Sequence, residues 1–360
     1  MLKIATVFSG IGAFEQALNK KKIPHETLFA CDNGERYLDL SKDEIISKFN
    51  NSDYKDINDY INYLYSTVNK PNYVKRTYEM NYTFDKWYED IRFIDGNIYK
   101  GKIDILVGGS PCQSFSIIGK RGGLEDTRGT LFYDYARLIK ESQPNAFIFE
   151  NVAGLLNHDK GKTWETIHNV FEDLGYKWYM KVINSLDHGI PQQRKRVFII
   201  GFKNKMVQFV FPKSRTLSKT MFDYLETIVN NKFYLGKKGF EFVTNSKYKN
   251  RAQVNNEIIR TQKANQQFNW NGDFYFEPIH NFAKRNQDIP SKAYISTFNG
   301  EKGVIRKLTH IELLRLMGFQ DDFKIVSHDT QAYRQIGNSI VVTIFEDLID
   351  NILPFLGEEV

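Results

Sequence analysis

Apolar positions along the first 200 residues fall into short runs that stop at glycine or acidic residues, a pattern typical of buried strands. These runs occupy 2–8, 27–31, 103–107, 145–149 and 197–201. Helical spacing of apolar residues occurs between some of them, at 131–139 and 162–174. Strands that alternate with helices pack into a sheet covered by those helices. The pattern therefore predicts a doubly wound α/β domain.

A different pattern begins at about Lys203, where the alternation of strands and helices is lost. Tyr, Phe, Asn, Gln and Lys are interleaved through 233–282, and regular spacing returns shortly before Thr309 and Glu312, which form a capping-box sequence. These changes predict a main domain, a helical insertion within it, a second domain and a returning segment. Their bounds are 1–203 plus 334–360, 39–76, 204–308 and 309–333.

Composition adds limits to this picture. With 360 residues, 41% hydrophobic and 26% charged, the chain resembles globular proteins with a sizeable core. It has no apolar run near about 18 residues and no secretory leader, so we expect neither membrane insertion nor secretion. The two cysteines, Cys31 and Cys112, lack metal-ligand spacing. We therefore expect a reducing cytoplasm and no metal site.

Charge is unevenly distributed along the chain. The formal net charge is +6, but 203–307 holds 19 Lys and Arg against 8 Asp and Glu, a local excess of +11. A basic segment beside a more acidic one is typical of a part that binds a polyanion, joined to a catalytic part. The aromatic and amide side chains in the same segment favour nucleic acid, because amides and guanidiniums read base edges.

The first candidate site follows the first strand. Gly10 and Gly12 allow a tight turn and a close approach of backbone to a ligand, before a helix N-terminus with unpaired N–H groups. A plain tight turn would look the same. Asp32 ends the second strand, where doubly wound folds hold a ribose hydroxyl. The acid favours a nucleoside site over a plain turn.

The second candidate site is the stretch 108–116, which places Cys112 on a loop just after a predicted strand. Ligands of open α/β sheets bind beyond the carboxyl ends of the strands, where a nucleophile would be useful. The residues around Cys112 are equally compatible with a small buried apolar cysteine. The neighbouring basic loop at Lys120 and Arg121 suits a phosphate backbone or a lid.

Polar residues near two other strands point to the same sheet edge. Glu150 follows 145–149, and an acid there is costly without a partner or a role. Arg194 and Arg196 precede 197–201 with a spacing of two, which predicts both guanidiniums on one side as an anion clamp. Solvated strand ends are the alternative for the arginines.

Five motifs, in this order, resemble those of the bacterial DNA cytosine-5 methyltransferases, in particular the smaller members of type II restriction-modification systems. They are Phe8-Ser9-Gly10-Ile11-Gly12, Gly109-Ser110-Pro111-Cys112-Gln113, Glu150-Asn151-Val152, Gln193-Arg194-Lys195-Arg196 and Gln335-Ile336-Gly337-Asn338-Ser339. The resemblance implies a Rossmann-like, doubly wound mixed sheet that uses S-adenosylmethionine. It also implies that 204–308 is a smaller, irregular, mainly β target recognition domain and that 309–333 is a hinge and return helix.

The resemblance further implies a mechanism. The target cytosine is flipped out of the duplex, and the Cys112 thiolate attacks C6 to form a covalent adduct. Glu150, in its protonated form, would hold the N3 edge, while Arg196 binds O2 with Arg194 in support. C5 would then take the methyl group, an unidentified base would remove the C5 proton, and Cys112 would leave.

The same resemblance carries over two further sets of residues. The cofactor set is Phe8, Gly10, Ile11, Gly12, Asp32, Asp90, Ile91, Pro111, Leu131 and Asn338. The DNA-binding set includes Gln113 and Ser116, to which the basic loop adds Lys120 and Arg121. Thr6 departs from the family pattern because an acid is usual there. Asn33 also departs, because an aromatic residue commonly stacks on adenine at that position.

The sequence predicts a monomer that acts on double-stranded DNA in the bacterial cytoplasm, associated with the nucleoid through DNA. A cognate restriction endonuclease is an expected partner in the same system, without a stable complex. Two alternatives stay open. A tRNA cytosine-5 methyltransferase shares the motifs but tends to have a smaller variable part than 203–307. A non-catalytic DNA-binding regulator would not need Cys112, Glu150 and Arg196 together.

Overall fold

The computed structural model describes residues 1–111, 131–265 and 270–356 and divides into two compact units. The first unit contains Met1–Ile183, Lys195–Lys213 and Ile344–Val360. The second contains Asn184–Arg194 and Ser214–Thr343. The chain therefore passes between the units at 183–184, 194–195, 213–214 and 343–344.

The described part of the first unit is built on a seven-stranded sheet. Its strands in chain order are β1 (Leu2–Val7), β2 (His25–Cys31), β3 (Lys86–Tyr88), β4 (Ile105–Gly108), β5 (Ala146–Val152), β6 (Lys177–Asn184) and β8 (Lys195–Phe202). Strand β7 (Gln192–Gln193) lies between β6 and β8 in the sequence but belongs to the second unit. The order across the seven-stranded sheet is β3-β2-β1-β4-β5-β8-β6. Strands β1 to β5 pair in parallel, whereas β8 is antiparallel to β5. This mixed sheet confirms the predicted fold class.

Aromatic side chains fill the core of the first unit. Its helices are α1 (Ala13–Lys20), α2 (Lys42–Asn50), α3 (Ile57–Ser66), α4 (Tyr73–Asn81), α5 (Leu131–Ser142) and α6 (Lys162–Asp173). Phe147 of β5 stacks on Phe171 of α6, with ring centroids 5.3 Å apart. Phe149 meets Phe132 of α5 at 5.6 Å. Because these rings are fully buried, they fix β5 and the polar residues at its end.

The segment 39–76 folds as helices that follow β2. Helix α2 begins after a capping box formed by Ser41 and Glu44, and α3 is capped by Asp56, whose side chain accepts the N–H of Asn58. A small apolar cluster holds these helices together. Its buried members are Ile45, Tyr60, Ile61, Tyr65 and, from outside the segment, Phe93.

The second unit contains a smaller β region, as predicted. Its remaining strands are β9 (Ala252–Val254), β10 (Ile259–Arg260), β11 (Gly272–Pro278), β12 (Ser296–Phe298) and β13 (Glu301–Lys307), and its helices are α7 (Lys237–Thr244), α8 (Ile279–Lys284), α9 (His310–Arg315) and α10 (Asp329–Asn338). One sheet has the order β12-β13-β11-β9, and β7 pairs with β10 in another. The last helix, α11 (Val342–Ile352), begins in this unit and continues in the first. No helix in the described ranges is long and apolar enough to cross a membrane.

The units differ in their bounds from the predicted domains, because 184–194 and 334–343, which includes the second half of α10, belong to the second unit and 204–213 belongs to the first. The Tyr333 hydroxyl donates to the carbonyl of Leu308 at 2.8 Å. Gly337 packs so closely that an added Cβ would lie 2.3 Å from the carbonyl carbon of Lys263. Close backbone packing between segments distant in sequence has no signature in hydrophobic spacing, so the sequence assigned 334–343 to the main domain.

Candidate functional site

The turn after β1 has the backbone geometry of a ligand-binding loop. Phe8, Gly10 and Gly12 all have positive φ, at 52°, 53° and 75°. An added Cβ at Gly10 would meet no described atom within 4 Å, so this part of the backbone faces open space. At Gly12 the added atom would lie 2.2 Å from the ring of Tyr82, whose hydroxyl also donates to the Gly12 carbonyl at 2.8 Å. Glycine is therefore required at position 12 by close packing.

Ser9 joins this turn to the end of β2. Its hydroxyl accepts the Cys31 N–H at 3.1 Å and the Thr6 hydroxyl at 2.8 Å. Thr6, which stands where the family pattern has an acid, is 2% exposed and supports the turn through that bond. The residue that departs from the pattern is thus part of the scaffold of the loop.

Asp32 lies directly beside the glycine turn. Its Oδ2 accepts the Gly10 N–H at 3.0 Å, and its Oδ1 accepts the Gly34 N–H at 2.8 Å. Desolvation raises the pKa of the Asp32 carboxyl, and the two N–H groups oppose that shift. The structure thus brings together the glycines and the acid that the sequence predicted as a nucleoside site.

Asp90 and Ile91 follow β3, which pairs with β2. The Asp90 carboxylate accepts the N–H of Arg92 at 3.0 Å and pairs with its guanidinium at 2.6 Å. It also accepts the hydroxyl of Tyr65 at 3.2 Å. Ile91 is buried. The carboxylate is therefore held in one orientation by partners from two parts of the chain.

Glu150 lies within β5 and not after its end, which corrects the predicted strand bound. Pairing of β5 with β4 ends at Phe149 and Gly108, whereas β5 continues beside β8 to Val152. Glu150 is thus one step beyond the carboxyl end of β4. An added Cβ at Gly109 would lie 2.6 Å from the Glu150 carbonyl oxygen, so the first residue after β4 can only be glycine.

The residue after Glu150 holds the backbone at Ser110, which is two residues before Cys112 in the sequence. Asn151 is 4% exposed, and its amide donates to the Ser110 carbonyl at 2.8 Å. Pro111 is exposed. Cys112, Gln113, Ser116, Lys120 and Arg121 lie outside the described residues, and their predicted roles stay predictions.

The other cysteine, Cys31, has the environment of a structural residue. It is 3% exposed, and burial raises the pKa of its thiol well above the ordinary value. Since the thiolate is the nucleophilic form, Cys31 is poorly suited to catalysis.

The two arginines of the predicted clamp have different partners. The Nε of Arg196 lies 3.0 Å from Oε1 of Glu150, and both side chains are largely buried. Arg194 belongs to the second unit, where its guanidinium donates to three backbone carbonyls. Those of Gln262 and Ser339 lie at 2.6 Å and that of Gly337 at 3.1 Å. The structure brings Arg196 to Glu150, whereas three bonds of the Arg194 guanidinium go to backbone carbonyls.

The remaining predicted cofactor residues lie apart in the chain. Leu131 is the first residue of α5 in the first unit and is partly buried. Asn338 ends α10 in the second unit. Sequence reasoning missed Tyr65, Lys70 and Asn72, which contact the loops of Asp32 and Asp90. No motif marks them, because their partners are mostly backbone carbonyls far away in sequence.

The second unit has an exposed basic surface around α7 and β9, with two half-buried aromatic rings within it. The rings of Phe242 and Tyr248 stack at 4.1 Å between centroids and 11° between planes. The guanidinium of Arg251 lies over Phe242 at 5.3 Å, and the Lys247 ammonium lies over Tyr248 at 5.9 Å. Lys249 is also exposed. Such a surface suits a polyanion that carries flat rings.

Sequence comparisons find a family model and relatives that match most of the chain. A family model for C-5 cytosine-specific DNA methylases matches residues 61–354. The type II methyltransferase M.HpaII of Haemophilus parainfluenzae is 38% identical over 292 residues, covering 79% of this chain and 81% of that protein. M.HhaI of Haemophilus parahaemolyticus is 35% identical over 289 residues, covering 78% and 84%.

Solved structures show the fold at lower identity. A DNMT2 mutant from Spodoptera frugiperda superposes with a TM-score of 0.68 at 16% identity, covering 98% of this chain and 100% of that one. The Dnmt2 methyltransferase of S. pombe gives 0.67 at 17% identity, covering 99% and 100%.

Proposed function

The chain belongs to the C-5 cytosine-specific DNA methylase family and is a DNA cytosine-5 methyltransferase, and from this premise we propose a specific reaction. It transfers the methyl group of S-adenosylmethionine to C5 of a flipped-out cytosine in a short duplex sequence. The observation that carries the proposal is the Glu150–Arg196 pair, held beyond the end of β4 beside Gly109. An acid and a guanidinium 3.0 Å apart match the N3 and O2 edge of cytosine.

The Glu150 carboxylate and the Arg196 guanidinium are already paired before a base binds. A bound cytosine would engage both groups, with its O2 accepting from Arg196 and its N3 meeting Glu150. A closed site that excludes water favours the protonated acid, which can donate to N3 as negative charge builds on the ring. Arg196 would stabilise the charge on O2 at the same time.

The covalent step uses Cys112. Its thiolate forms a bond to C6, the C5–C6 double bond supplies the electron pair that C5 uses to accept the methyl group, and N3 takes the proton of Glu150. Loss of the C5 proton to a base restores the double bond and expels the thiolate, and N3 returns its proton to Glu150. Asn151 supports this chemistry from outside, because its bond to the Ser110 carbonyl holds the backbone two residues before Cys112.

The residues around the glycine turn fit S-adenosylmethionine, whose sulfonium would supply the methyl group and leave as the neutral thioether of S-adenosylhomocysteine. The open backbone at Gly10 admits a ligand close to the main chain. The Asp32 carboxylate, fixed by the Gly10 and Gly34 N–H groups, would accept the ribose hydroxyls. Asp90 and Ile91 lie on the neighbouring strand connection, where adenine would bind.

The basic and aromatic surface of the second unit supports DNA as the substrate. Its residues are Phe242, Lys247, Tyr248, Lys249 and Arg251. The relatives M.HpaII and M.HhaI are type II methyltransferases, so we propose that this enzyme protects host DNA beside a cognate restriction endonuclease.

Two measurements test the proposal. Labelled methyl from S-adenosylmethionine should enter duplex DNA, and labelling of tRNA with none in DNA would replace the proposed substrate. DNA that contains 5-fluorocytosine should trap a covalent complex that is lost in Cys112→Ala. Persistence of that complex in the variant would exclude Cys112 as the nucleophile. Bisulfite sequencing of the product DNA then identifies the recognition sequence.

A further inference from the structure

The helical insertion 39–76 contacts the proposed cofactor loops directly, although no motif within it indicates chemistry. Three of its polar side chains donate hydrogen bonds to residues 32–35 and 89–90. They are Tyr65 on α3, and Lys70 and Asn72 between α3 and α4. Lys75 adds an ion pair with Glu89 at 3.9 Å. All of these residues belong to the first unit.

Two of the three hold the turn that follows β2. Lys70 donates from its ammonium to the carbonyls of Gly34 and Glu35, both at 3.0 Å. Asn72 donates to the carbonyl of Asp32 at 2.9 Å. Gly34 has a φ of +64°, and an added Cβ there would lie 2.3 Å from Oδ1 of Asn72. The insertion therefore packs against the backbone on which the Asp32 carboxylate is mounted.

The third side chain holds the next loop. The Tyr65 hydroxyl donates to Oδ2 of Asp90 at 3.2 Å. Arg36 links both sites, because its guanidinium donates to the Tyr65 carbonyl at 3.1 Å and pairs with Glu89. Asn72 also donates to Glu89, at 3.0 Å. Arg36, Glu89 and Asn72 are each less than 9% exposed, so this network is shielded from competing water.

We propose that the insertion is a built-in brace for the adenosine end of the cofactor site, with Tyr65, Lys70 and Asn72 as positioning residues. This inference rests on the proposed function. A turn whose carbonyls were bonded only to water would have to be ordered when the cofactor binds, and ordering one residue costs about a factor of ten in affinity. The brace meets that cost during folding, so it acts on cofactor affinity and not on the chemical step.

The test uses the full chain and calorimetric titration with S-adenosylmethionine and with S-adenosylhomocysteine. Tyr65→Phe and Lys70→Met each remove one set of donated bonds, and their controls are Tyr63→Phe on the same helix and Lys48→Met on α2. Tyr63 is half-exposed and Lys48 is exposed. We expect both dissociation constants to rise about tenfold in each brace variant, a loss typical of one bond to a charged group. The controls should stay within about twofold.

Kinetics separate positioning from general damage to the fold. The KM for S-adenosylmethionine should rise with the dissociation constant, while kcat and the KM for DNA stay within about twofold. Equal losses in kcat and in DNA binding would overturn the proposal, as would unchanged cofactor affinity in both brace variants. If the unaltered chain bound no S-adenosylmethionine, the proposed function would itself fail. Binding by the unaltered chain with equal affinity in the variants would overturn the brace alone.

Discussion

Arg194 and Arg196 are two residues apart, yet the structure predicts opposite consequences of replacing them. Arg194 is 2% exposed and donates to the carbonyls of Gln262, Gly337 and Ser339. These three carbonyls come from two segments that are far from Arg194 in sequence. We expect Arg194→Met to lower the free energy of unfolding with no specific loss of chemistry in the protein that remains folded.

The size of the loss follows from the three bonds. A hydrogen bond to a charged group contributes about 1.5–3 kcal/mol to stability. A substitution that leaves a buried carbonyl without its donor costs about as much. Since one guanidinium makes all three, their contributions are not additive, and we estimate about 4 kcal/mol. Arg194→Lys should lose about half as much, because a compact ammonium cannot reproduce a planar fork of donors.

Urea denaturation measures this loss. With an m-value of about 2 kcal/mol per molar, Arg194→Met should lower the midpoint by about 2 M. The matched control is Arg196→Lys, which keeps a positive charge near Glu150 and should therefore lose less stability than Arg194→Met. In a methyl-transfer assay the order should reverse, with Arg196→Lys losing about a hundredfold in kcat.

The opposite pattern would refute this assignment. A loss of stability under about 1 kcal/mol in Arg194→Met, together with a hundredfold loss of turnover, would mean that its guanidinium acts on the substrate. In that case the predicted clamp of two arginines would stand.

Three further predictions concern the catalytic acid, the cofactor acid and the basic surface. Glu150→Gln should lose about a hundredfold or more in kcat with DNA affinity nearly unchanged, because its proton acts in the transition state; equal losses in both would contradict that role. Desolvation raises the pKa of Asp32 above its ordinary value of 3.8. As the pH is lowered, affinity for S-adenosylmethionine should therefore begin to fall at a higher pH than it would with an aspartate of ordinary pKa. Asp32→Asn should bind more weakly and lack this dependence, and the same pH profile in both proteins would assign it elsewhere. Lys249→Ala should reduce the slope of log affinity for DNA against log salt by about one, with Lys48→Ala as a control, and an unchanged slope would place Lys249 outside the interface.

The strands and the cofactor turn were predictable because their signals are local. The apolar run before Gly108 and the one before Glu150 became adjacent parallel strands. Gly10 and Asp32 meet because parallel strands place their carboxyl ends at one sheet edge. The helices of 39–76 likewise follow from spacing and from caps such as Ser41.

The tertiary structure decided what those elements are used for. Arg194 and Arg196 have the same side-chain chemistry and are two residues apart in the sequence. Only long-range packing directs one to backbone carbonyls and the other to Glu150. The same holds for Lys70 and Asn72, whose partners are carbonyls of a turn more than 30 residues earlier. Every residue presents a similar carbonyl, so no residue type marks such a partner in the sequence. The sequence by itself determined the sheet, the motif residues and the excess of charge, because each depends on side-chain type and spacing. The pairing of those residues across the fold was decided by the packing of segments distant along the chain.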